Sequence, residues 1–170
     1  SRWVTGEAAR RHVHETRNRL SGIMVGVGTV LADDPLLTCR IDGGRNPVRI
    51  VCDSHARTPL GSQLVQTANE IPTYVAVTAR SERTAALEEK GVRILVCGET
   101  DGHVDLTDLM QQLGSAGING ILLEGGSSLA FSALKAGIVR RVQAYIAPKL
   151  IGGADAKSPV GSQKWRTRSR

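Results

Sequence analysis

The amino-acid sequence predicts an α/β protein built on a central, mostly parallel sheet. Three observations carry this. Short apolar runs rich in Val, Ile and Leu alternate with stretches of helical spacing, the order a parallel sheet covered by helices requires. Aromatic residues make up only 3% of the 170 residues while hydrophobic residues make up 41%. The core must therefore be aliphatic, as in strands buried on both faces. Glycines and polar residues recur just past the apolar runs, after Val27, Val51, Val77 and Leu123. In a parallel sheet those positions share the carboxyl edge, where such sheets bind ligands.

Taken in order, residues 5–20 open with Thr5, an acid in the first turn and later basic residues, and Ala9, Val13 and Leu20 fall near helical spacing. This predicts a helix. His12 and His14 form an H-x-H pair within it, but residues two apart on a helix point to different sides and no third ligand is evident. A solvated face is the simpler reading, and no metal site is expected. Residues 23–28 suit a central strand, in which Gly26 and Gly28 would let a ligand lie close to the backbone. Asp33-Asp34-Pro35 is turn chemistry, although two carboxylates there could equally serve a cleft.

Residues 47–54 read as a second strand ending in Asp53-Ser54, with Arg57 in the loop beyond. Residues 73–78 read as a third, followed by Arg80. Residues 81–90 predict a helix ended by Gly91, residues 92–96 a fourth strand, and residues 106–113 a helix stopped near Gly114 and Gly117. Residues 141–148 alternate and predict a further strand.

The most informative stretch is residues 120–132. Ile121-Leu122-Leu123 runs into Glu124, then Gly125-Gly126, Ser127-Ser128 and a helix-like segment. Strand, tight turn and helix start in that order place backbone N–H groups and a positive dipole end where an anion can sit. An ordinary strand–turn–helix with Ser127 or Ser128 as N-cap explains the same residues. Convergence of four strand ends on one edge favours a site.

The net charge of +6 is spread along the chain apart from Arg166, Arg168 and Arg170. With so few aromatic stacking surfaces it fits small phosphorylated ligands better than nucleic acid. Cys39, Cys52 and Cys97 are odd in number and widely spaced, which points to reduced thiols and a cytoplasmic location. No run reaches the length of a membrane span.

The set Ser1-Arg2-Trp3-Val4-Thr5-Gly6, Arg17, the G-T-V-L-A-D-D-P-L-L-T run from Gly28 to Thr38, Asp53-Ser54 and Leu123-Glu124-Gly125-Gly126 resembles the reductase domain of riboflavin biosynthesis. The likeness extends to Ala147-Pro148-Lys149-Leu150-Ile151-Gly152-Gly153. It implies a dihydrofolate-reductase-like three-layer fold and an NADPH-dependent oxidoreductase, usually a homodimer. The implied reaction reduces 5-amino-6-(5-phosphoribosylamino)uracil to its ribitylamino product. Related domains often follow a zinc deaminase on the same chain, but the deaminase pattern H-x-E with P-C-x-x-C is absent here, so deamination by these residues is not expected.

By position, the resemblance implies that Trp3, Thr29, Asp33 and Ser54 line the NADPH site. It implies that Gly126, Ser127, Ser128, Leu129, Ala130, Phe131 and Ser132 cradle the diphosphate. Substrate contacts are implied for Ser1, Arg17, Leu37, Arg40 and Glu124. Guanidinium forks at Arg17 and Arg40 suit a ribose phosphate, and the Glu124 carboxylate can accept from ribose hydroxyls or pyrimidine N–H groups. Asp33 is the candidate for arranging proton delivery as an opened, imine-like sugar takes the hydride, and Arg57 or Arg80 for holding the 2′-phosphate. The expected division is a reductase domain over residues 1–160, incomplete at both ends, and a basic tail over 161–170. A non-catalytic nucleotide-binding domain, and a related reductase acting on another pyrimidine or pterin, are the competing readings.

Overall fold

The computed structural model describes residues 6–145 and Val160. Among them the chain forms α1 (Glu7–Arg19), β1 (Gly22–Gly26), α2 (Val27–Asp33), β2 (Val48–Cys52), α3 (Gln63–Gln66), β3 (Thr73–Val77) and α4 (Glu82–Glu89). There follow β4 (Arg93–Val96), β5 (Glu99–Thr100), β6 (His103–Val104), α5 (Leu106–Ser115), β7 (Ile121–Leu123) and α6 (Ser127–Lys135). Five strands make one sheet in the order β4-β3-β2-β1-β7, with every neighbouring pair parallel.

Side chains alternate across the sheet, so each central strand feeds two cores. Ile23, Val25, Val51, Val75 and Val77 meet Val30 of α2, Leu64 and Val65 of α3 and Leu87 of α4 on one face. Met24, Ile50, Tyr74 and Ala76 meet Leu109 and Leu113 of α5 and Ala133 of α6 on the other. Helix–sheet–helix is the three-layer arrangement that the aliphatic composition predicts. Local signals end the helices as expected: Ser81 and Thr84 form a reciprocal capping box on α4, and Asp105 caps α5.

Three sequence expectations change. The first strand stops at Gly26 rather than Gly28, because Val27 and Val30 turn into the core as the first residues of α2. Residues 141–145 take no strand conformation; their alternation finds no ladder partner among the described residues, and Ile146, Ala147 and Pro148 lie outside these. The β5–β6 hairpin goes unpredicted, although Asp101 and Gly102, both at positive φ, supply the Asp-Gly turn that such hairpins favour.

Arg49, in the middle of β2, is fully buried. Its guanidinium donates to Thr73 Oγ1 (2.9 Å), Thr67 Oγ1 (2.8 Å) and the carbonyls of Leu64 (3.0 Å), Ile71 (3.0 Å) and Leu36 (3.3 Å). Burial lowers its pKa to about 10, so it stays charged at neutral pH. Arg49 therefore ties β2 to β3, to the α3 loop and to the segment that follows α2. Arg49→Met should cost at least ~3 kcal/mol in urea denaturation, because several buried acceptors lose their donor together. A loss below ~1 kcal/mol would contradict this role.

Candidate active site

Parallel pairing aligns the starts of β1 and β7, with Gly22 opposite Ile121 and Met24 opposite Leu123. β7 ends there, and β1 runs two residues further, to Gly26. From β1 the chain passes directly into α2, with Gly26 as N-cap; from β7 it passes through Glu124 and Gly125 into α6, with Gly126 as N-cap. Neither helix start has a side-chain cap. A Cβ added at Gly126 would stand 3.8 Å from the Gly26 nitrogen. Two helix N-termini thus lie side by side, each with N–H groups lacking an intrahelical acceptor.

This arrangement corrects the alternative in which Ser127 or Ser128 caps α6; both are first-turn residues. It also divides the predicted cradle. Ala130 N–H already bonds the Gly126 carbonyl (2.9 Å), so Ser127, Ser128 and Leu129 can present backbone donors. Ala130, Phe131 and Ser132 lie further into the helix and have only side chains to offer. Gly125 and Gly126 sit at φ 78 and 83, and a Cβ at Gly125 would come within 3.1 Å of Thr29 Oγ1. The turn is pressed onto α2 in a conformation that glycine alone adopts without strain. Asp33, four residues on from Thr29, shares its helix face. It is exposed and has no hydrogen-bond partner among the described residues.

Glu124 faces the other way. Arg17 of α1 holds it in a fork, Nε to Oε1 at 3.0 Å and Nη2 to Oε2 at 2.5 Å, while Nη1 donates to the Thr38 carbonyl at 2.7 Å. Both side chains are mostly buried, 12% and 24% exposed, where a bidentate pair is strongest. The two groups expected to reach for substrate therefore bind each other, and they offer a ligand their remaining donors and lone pairs. Leu37 is buried at φ 53, an uncommon left-handed conformation for a bulky residue, and it turns the chain toward α1. Arg40 lies exposed beyond it. A cleft of about 220 Å³ is lined by the apolar Ala9 and Val13 together with Arg10, His14, Arg17, Arg40 and Tyr145.

His14 accepts the Arg40 N–H at Nδ1 (3.2 Å), and His12 Nδ1 lies 2.9 Å from Tyr145 Oη. The pair thus has separate partners, and among the described residues no group of three or more potential metal ligands gathers. The sequence reading left His14 on a solvated helix face. Its signal was the spacing of His14, Arg17 and Asn18, which puts three polar side chains on one helix face.

Ser54 lies one strand further across the edge. Its Oγ accepts the Val104 N–H (3.1 Å) and so fastens the β5–β6 hairpin. Next to it, the fully buried Asp53 accepts Thr58 N–H and O–H at Oδ2 (2.6 and 2.7 Å), while Oδ1 has no hydrogen bond. Arg57 Nε stands 3.9 Å from that oxygen and is largely exposed, whereas Arg80 is held by both oxygens of Glu88. Ser1 and Trp3 lie outside the described residues.

The description "RibD C-terminal domain" matches residues 1–170. The chain belongs to that family. It is 54% identical over 164 residues to the riboflavin biosynthesis protein RibD of Actinobacillus pleuropneumoniae, covering 96% of this chain and 44% of that protein. It is 43% identical over 165 residues to the 2,5-diamino-6-ribosylamino-4(3H)-pyrimidinone 5′-phosphate reductase of Methanothermobacter thermautotrophicus, covering 94% and 74%. The solved Acinetobacter baumannii RibD, form 2, superposes with a TM-score of 0.80 at 26% identity, over 98% of this chain and 46% of that one. The chain thus spans less than half of the RibD relatives. The parallel sheet with helices on both faces is the dihydrofolate-reductase-like fold of the RibD reductase domains.

The residues present fit a nicotinamide dinucleotide. Both helix starts keep N–H groups without an intrahelical acceptor, and the glycine turn packs on Thr29 more closely than a side chain would allow. Gly125→Ala should weaken dinucleotide binding about tenfold or more in a calorimetric titration. Gly137→Ala, at similar positive φ but in open space, should lower only stability. Equal losses of affinity in both variants would remove the argument from the turn.

Proposed function

We propose that this RibD reductase domain reduces 5-amino-6-(5-phosphoribosylamino)uracil, with NADPH as the hydride donor. The observation carrying the proposal is the pair of uncapped helix starts at Gly26 and Gly126 beside the Arg17–Glu124 fork. One turn of chain, Glu124-Gly125-Gly126, thereby carries the proposed diphosphate site on one side and, through Glu124 and Arg17, borders the arginine-lined cleft on the other. Bound there, the nicotinamide supplies the hydride.

The chain's own residues do the rest. Ser127, Ser128 and Leu129 N–H groups and Thr29 Oγ1 hold and orient the dinucleotide. Arg17 holds the Glu124 carboxylate aimed, so it accepts from substrate N–H or O–H groups without reorganising. Arg40 and the free donors of Arg17 take the ribose phosphate, and the Leu37 turn sets the wall between them. Asp33, exposed on the Thr29 face of α2, arranges the proton that follows the hydride onto the opened sugar. Ser54 lines the cofactor side. The same reading makes the protein a cytoplasmic homodimer, which its three free thiols suit. It also assigns the unmatched part of the longer relatives to a deaminase. Among the described residues no helix is long and apolar enough to cross a membrane.

Incubation with NADPH and the phosphoribosylaminouracil should bleach the reduced-nicotinamide absorbance and yield the ribitylamino product. Tight NADPH binding without oxidation would instead support the non-catalytic reading. Of the two arginines considered for the 2′-phosphate, Arg57 is the better placed, since Arg80 is already engaged by Glu88. Arg57→Ala should reduce the NADPH-over-NADH preference about tenfold, equivalent to ~1.4 kcal/mol, while Arg80→Ala leaves it unchanged. The reverse pattern would reassign the role.

A further inference from the structure

Arg40 is carried by a stretch without regular structure, residues 34–47, which must be fixed by something other than a ladder. One face of α1 does this. His14 Nδ1 accepts the Arg40 N–H (3.2 Å), the His14 carbonyl accepts Cys39 Sγ–H (3.4 Å), Arg17 reaches the Thr38 carbonyl (2.7 Å), and Asn18 Oδ1 accepts the Arg45 N–H (2.8 Å). The bond to His14 Nδ1 exists only while that nitrogen is unprotonated.

We propose that His14 is a positioning residue for substrate: its neutral imidazole accepts the Arg40 backbone N–H and so sets where the Arg40 guanidinium stands in the cleft. The role rests on the reading that Arg40 contacts the substrate phosphate. With Nδ1 accepting, the proton of neutral His14 is on Nε2. A second proton would turn Nδ1 into a donor facing another donor, and the stretch would lose its contact beside Arg40.

The surroundings keep His14 neutral. Partial burial, then the charges of Arg17 on its own helix and of Arg40 from the facing stretch, hold its pKa below the usual 6.5, opposed by Glu124 from the end of β7. Arg10 and Tyr145 complete the ring of polar groups around the cleft. Substrate affinity should therefore be full at pH 7 and above and should fall as the pH drops below ~6.5. The sign follows from the lowered pKa: neutral His14 is the working form.

The test compares wild type, Arg40→Ala, His14→Ala, His14→Asn and the double variant His14→Ala/Arg40→Ala. It measures the calorimetric Kd for the phosphoribosylaminouracil together with KM and kcat at saturating NADPH, from pH 5 to 8. Arg40→Ala should raise Kd and KM about tenfold. His14→Ala should raise both about three- to tenfold with kcat within about twofold, and the double variant should be no worse than Arg40→Ala, because His14 acts through Arg40. His14→Asn keeps an acceptor near the Nδ1 position but cannot take the proton. It should restore the neutral-pH Kd and weaken less than wild type on the acid side; the substrate phosphate's own ionisation weakens every variant alike and cancels in that difference. If Arg40→Ala weakens binding and His14→Ala does not, the His14 role is wrong and the substrate reading stands. If Arg40→Ala has no effect, the substrate reading fails, and this inference with it. Should His14→Ala not fold, His14→Asn decides alone: wild-type acid sensitivity in that variant overturns the proposal.

Discussion

Parallel, in-register pairing of β1 with β7 is the constraint on which the rest of this structure depends. β7 stops at Leu123, opposite Met24, while β1 runs on to Gly26, and the link Glu124-Gly125 makes up the difference, so the two helices start side by side. Each helix start has unbonded N–H groups and the positive end of a dipole. Here both N-caps are glycines, Gly26 and Gly126, so no side chain closes either one. Sheet topology has brought two open helix N-termini together before any side chain is considered.

Side chains then define what else can bind. Arg17 gathers three parts of the chain far apart in sequence: α1, the end of β7 through Glu124, and the segment after α2 through Thr38. The only buried residue of α1 is Thr16, so this helix is held more by directed hydrogen bonds than by apolar burial. A helix fastened that way is placed by its polar partners, and Arg40 and Tyr145 among them line the cleft. Arg49 does comparable work inside the fold, where one guanidinium satisfies acceptors from β3, the α3 loop and Leu36. Its bond to Leu36 anchors the residue before Leu37, whose left-handed backbone aims the chain at α1.

The cysteines illustrate how the same burial separates structure from reactivity. Burial pushes the Cys52 thiol up to about 12 and the Cys97 thiol up to about 11, with nearby acidic groups adding to the effect. Both remain protonated and act as small apolar groups against the sheet.

The sequence by itself determined the layers, because aliphatic runs of strand length alternating with helical spacing leave little choice but a doubly covered parallel sheet. It also determined the glycine turn after Glu124, and the family likeness carried by the run from Gly28 to Thr38 and by Leu123-Glu124-Gly125-Gly126. Local signals of cap, turn and period sit within a few residues of one another and are readable without the fold. Only tertiary structure decided that Arg17 and Glu124 hold each other, across 107 positions of chain, rather than standing separately. It alone brought Gly26 beside Gly126, made His14 a partner of Arg40 instead of half of a histidine pair, and left Arg57 freer than Arg80. Each of these depends on where strands and helices that are remote in sequence come to rest, and hydrogen-bond partners at that range leave no trace in local spacing.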